Sequence, residues 1–168
     1  AAGMDGGEVF LVAGSSVGGT GGKTEISAGF SEVGRGGSIV VGGGSSLTQQ
    51  GGDAWFGSGS SQTDTGGDTL VTSGSGPMSG GTITIESGSS LNEGGALNLR
   101  AGAAVGDRHA VGGSVSIESN EGSHTGSMSL GTGLSTDGTS GSIIIGTGPS
   151  SSGGSSGSMA LSVGSAQD

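Results

Sequence analysis

The sequence predicts an all-β fold, a single-domain parallel β-solenoid of about eleven coils with ~15 residues per coil over residues 1–168. Three observations predict it. Glycine pairs recur at a near-constant interval, a short apolar alternation follows each of them, and bulky side chains are too scarce to fill a broad core. Glycine supplies 44 of the 168 residues, against 3 Phe, 1 Trp and no Tyr, so any interior must be narrow. With only 2 prolines and a regular apolar spacing, the chain departs from a flexible Gly/Ser linker. Glycine does not fall at every third position, which excludes collagen.

The period is read from the second glycine of each pair, or the single glycine that replaces it. These anchors are Gly7, Gly22, Gly37, Gly52, Gly67, Gly81, Gly95, Gly113, Gly126, Gly141 and Gly157. The clearest unit is Gly80-Gly81-Thr82-Ile83-Thr84-Ile85-Glu86-Ser87-Gly88-Ser89-Ser90, which reads as a turn, a short one-faced strand and a second turn. Two and four residues after the anchors stand the expected core columns, among them Val9 and Leu11, Ile39 and Val41, Ile83 and Ile85, Leu97 and Leu99, Val115 and Ile117, and Ile143 and Ile145. Twenty of the twenty-two residues in these two columns are apolar in a chain that is 29% hydrophobic, so the alternation is patterned.

Seven residues after the anchor stands a second glycine column, from Gly14, Gly29 and Gly44 to Gly148 and Gly164, with Asn120 as its one substitution. Asparagine is the residue that best tolerates positive φ after glycine, so the column reads as a corner. Small residues such as Ala13, Ser58, Ser73, Ser87 and Ala101 precede it, and Ser16, Ser31, Ser46, Ser61 and Ser90 follow two places later.

A helical hairpin does not fit in fifteen residues, and interior glycine costs a helix about 1 kcal/mol per position. At ~3.3 Å per residue, such a repeat can make one coil of two or three short strands, and coils stacked at ~4.8 Å would pair each strand with its equivalent. Eleven coils would then form a rod of about 50 Å.

Function would be written on the outward column between the two inner ones. Phe10, Val40, Trp55 and Leu70 occupy it, and the last three fall in consecutive repeats, so they form a candidate protein–protein interface. Glu86, Arg100 and Glu118 fall one repeat apart in another column and would form a short ion-pair ladder that sets register.

Charge narrows the partners. Four basic residues against 14 acidic ones give a net charge of −10, which leaves no basic stripe for nucleic acid. No apolar run is long enough to insert in a membrane as a helix. There are no cysteines, hence no disulfides or thiolate metal sites. Asp107, His109 and His124 are the residues that could meet a metal, but a solvated loop explains them and no metal site is assigned. Asp53 and Asp68 share a column without the glycine spacing of a calcium-binding nonapeptide.

Neither histidine stands at a fixed spacing from a serine and an acid, and no carboxylate pair is singled out. The chain therefore reads as non-enzymatic, with no cofactor. The sequons fail at Asn92, Asn98 and Asn120, while the many Ser and Thr residues offer sites for O-linked glycans.

Gly94-Gly95-Ala96-Leu97-Asn98-Leu99-Arg100-Ala101-Gly102 resembles the coil unit of filamentous-haemagglutinin-type adhesins. The Ser-Gly-Ser-Ser half of the repeat is similar to Gly/Ser-rich repeat proteins of algal and microbial extracellular surfaces. Ice-binding solenoids are similar in outline, although the paired threonines Thr63/Thr65 and Thr82/Thr84 fall in different phases. These resemblances imply a secreted protein at an extracellular or cell-surface location.

The functional expectation is a structural subunit of an extracellular filament or surface fibre. Solenoid ends without caps would stack head to tail on identical chains, a homo-polymer whose lateral contacts are apolar. The start at Ala1 suggests a processed segment of a larger or polymeric protein. The alternatives are a stalk segment of a secreted adhesin and a solenoid that binds ice or mineral surfaces.

Overall fold

The computed structural model describes residues 5–106, 110–150 and 154–164. It overturns the predicted solenoid, because the described residues form no helix and no β-strand. Stacked coils require backbone bonds from one repeat to the next. The backbone bonds among the described residues instead link the two glycine columns across a loop, leaving no ladder to hold a stack.

The expected core fails with the ladder. No described residue is buried, and Ala13, Ser31 and Ser135 are the only ones that reach intermediate exposure. Val9, Leu11, Ile39, Val41, Ile83, Ile85, Leu97, Leu99, Val115, Ile117, Ile143 and Ile145 are all exposed, so none is a core position within the chain. The accessible surface is 17075 Å². A compact domain of this mass would expose about 7,200 Å² and a fully extended chain about 22,500 Å². Alternation without bulk accounts for the difference: two or three aliphatic side chains per fifteen residues, flanked by glycine, offset too little of the entropy of ordering the backbone.

The regularity that does form is local. In the unit Ala1–Thr84, the amides of Gly22, Gly37, Gly52, Gly67 and Gly81 donate to the carbonyls of Gly14, Gly29, Gly44, Gly59 and Gly74 at 2.8–2.9 Å. In the unit Ile85–Asp168, Gly95 and Gly113 donate to Gly88 and Gly102 at 2.9 Å. Six of these bonds close loops of eight or nine residues, and the seventh closes one of twelve. Their joined ends make them small Ω-type loops.

Both glycine columns are needed because the two backbones nearly touch. A Cβ placed on Gly22 would lie 3.1 Å from the Gly14 nitrogen and 3.2 Å from the Ala13 Cβ. Gly37 meets Ala28 and Gly29 at the same 3.2 Å. The close approach also explains small residues such as Ala13, Ala28, Ser73 and Ala101 before the corners, since their Cβ atoms pack on the anchors. Gly43 takes that place before Gly44, and a side chain there would overlap the Gly52 carbonyl, 2.1 Å from where its Cβ would stand.

Within the loops, the serine column works as a set of turns. Ser16 and Ser31 Oγ accept the amides of Gly19 and Gly34 at 2.9 Å, and Ser46 and Ser61 Oγ accept those of Gln49 and Asp64 at 3.0 Å. A hydroxyl bonded three residues ahead bends the chain on itself. That bend brings the corner and anchor glycines back together.

Candidate functional site: the exposed apolar segments

Between each described anchor and the next corner no regular secondary structure forms, and in two of these segments the alternation is visible in side-chain contacts. Lys23 Nζ meets Glu25 Oε2 at 2.6 Å, and Ser116 Oγ donates to Glu118 Oε1 at 2.5 Å, both between residues two apart on one side of the chain. The inner and outer columns also differ in exposure. Ile39, Val40 and Val41 are 50%, 92% and 64% exposed, and Ile143, Ile144 and Ile145 are 49%, 90% and 66%. In these two repeats the inner pair is half shielded and the middle residue open to water, whereas in the first repeat Val9 is 95% exposed against 80% for Phe10.

Phe10, Val40, Trp55 and Leu70 are all exposed, as an interface requires. Trp55 turns back along its own segment, with its Nε1 2.9 Å from where a Cβ on Gly57 would stand. No backbone ladder aligns Val40, Trp55 and Leu70 across their repeats, so each presents its side chain from a separate segment.

Sequence reasoning passed over a closer pair. Gly37-Ser38-Ile39-Val40-Val41-Gly42 and Gly141-Ser142-Ile143-Ile144-Ile145-Gly146 share one pattern, and they are the repeats with a branched aliphatic at all three central positions. Comparing repeats with each other, and not column by column, exposes that signal.

The polar candidates do not converge. Among the described residues the ion pair formed is Lys23 with Glu25, and Glu86, Arg100 and Glu118 make no ladder. Asp107 and His109 lie outside the described residues. No group of three or more His, Asp or Glu gathers among those that are described, His124 included. A concavity of about 660 Å³ lies beside the 120–126 loop, lined by Glu118, Ser119, Asn120, Glu121 and Thr125. Its Glu118 is engaged by Ser116, and Asn120 Oδ1 accepts the Glu121 amide at 2.9 Å. Nothing in this arrangement pairs a nucleophile with a base.

No protein-family model matches the chain, and no curated protein or solved structure matches it. No helix among the described residues is long and apolar enough to cross a membrane.

Proposed function

We propose that the chain is a non-enzymatic structural subunit of an extracellular filament or surface fibre, built by association of identical copies. One observation carries this reading: a largely apolar inner pair recurs along the chain at intervals close to fifteen residues, and no described member of it is buried. A compact chain of this mass would bury on the order of 10,000 Å² more surface, whereas an ordinary protein–protein interface takes about 1,600 Å² in total. A cover for such an array must present apolar groups at the same interval. A second copy does so by construction.

Association cannot run through solenoid ends, because the chain forms no solenoid. It runs through the segments between anchor and corner, where the loop-closing backbone bonds do not reach. Phe10, Val40, Trp55 and Leu70 supply lateral contacts, and the serine-rich loops, which face solvent, carry O-linked glycans.

The single tryptophan tests the reading. As concentration rises, Trp55 emission should shift to the blue while sedimentation shows growing species and negative-stain images show filaments. A chain that sediments as a monomer at every concentration, with unshifted emission, contradicts it.

A further inference from the structure

The two triple-aliphatic segments differ from most other repeats in a second way. Neither residues 38–42 nor residues 142–146 carry a charge. Elsewhere, pairing equivalent segments of two copies would set like charges against each other, as at Glu8, Asp53, Asp68, Glu86 and Glu118. Repeats centred on Ser129 and Ala160 are also uncharged, but they offer methionine and a small outward residue in place of three branched aliphatics. Charges on an exposed extended segment are what normally keep it from pairing with another chain. At residues 38–42 and 142–146 that protection is missing, and the side chains favour extended pairing.

One of these segments lies in each unit, and their exposures match residue for residue. We infer that residues 38–42 and 142–146 are the two docking sites for a second copy of this chain, which makes each chain bivalent. The inference rests on the self-association reading and sharpens it. With two sites, every docked copy leaves one site open, so growth continues whichever segment meets which. With one site, association would stop at a dimer.

Lysine substitutions test it, since they lower the net negative charge and cannot suppress association by adding to overall repulsion. The full chain is compared with Val40→Lys, Ile144→Lys, the double variant, and Leu47→Lys, a loop position outside both segments. Sedimentation velocity should show polymers for the parent and Leu47→Lys, dimers for each single variant, and monomer for the double variant. A single variant added at one part in ten should shorten the parent's filaments by capping them.

A double variant that polymerises like the parent overturns the inference while leaving self-association intact, as do single variants that grow past dimers. A parent chain that stays monomeric at every concentration overturns both.

Discussion

At Gly37 the anchor amide reaches back to the Gly29 carbonyl at 2.9 Å, and a side chain on Gly37 would press on Ala28. Its neighbour Gly36 has more room, 3.8 Å from the same carbonyl. The two glycines of a pair are therefore unequal. Gly37→Ala should weaken the closure by about 1 kcal/mol, roughly a fivefold loss of protection against hydrogen exchange at that amide. Gly36→Ala should leave the protection within about twofold, because 3.8 Å is ordinary contact. The serine turn contributes at the same scale. Ser46→Ala removes the acceptor of the Gln49 amide, and that amide should exchange faster by a few-fold in the same experiment.

The closed loop is the element, and it marks how far the sequence could be read. The near-fifteen-residue spacing of the glycine columns and the serine two places after the second column were legible, whereas the positive φ expected at that column was not found in any of its described glycines, which serve close backbone approach instead. The stacking of repeats was not legible. Alternation such as Ile83-Thr84-Ile85 states which side chains share a side, and it is equally consistent with a covered face and a bare one. Phe10, Val40, Trp55 and Leu70 are exposed apolar residues, whereas the likeness of residues 38–42 and 142–146 is legible only when the absence of charge is read as a signal.

The loops also differ along the chain for a local reason. The anchors Gly141 and Gly157 lie against Thr132 and Thr147, with would-be Cβ distances of 3.5 and 3.6 Å, and their amides are not among those that close a loop. A branched side chain before a glycine corner holds the two backbones apart, where alanine or serine before a glycine lets them meet; at Asn120, which is not glycine, Gly126 closes no loop despite Ser119. Thr132→Ala should let the Gly141 amide reach the Gly133 carbonyl. Exchange at Gly141 would then slow about fivefold, the worth of one such bond. Unchanged exchange would remove threonine bulk as the cause.

For the whole molecule, the contest is between uncovered apolar repeats and charge. Each chain carries −10, shared evenly: the unit Ala1–Thr84 has seven acidic and two basic residues, and the unit Ile85–Asp168 has the same. Copies therefore repel along their full length, and segments without charge are the places where approach costs least. Because the carboxylates are exposed, salt should screen that repulsion, with a Debye length of about 30 Å at 0.01 M and about 3 Å at 1 M. The apolar attraction is not screened. Raising sodium chloride across that range should lower the concentration at which filaments appear by on the order of tenfold, about 1.4 kcal/mol per added copy. The same titration on the double lysine variant at Val40 and Ile144 should leave it monomeric, since screening removes a barrier without restoring the docking surface.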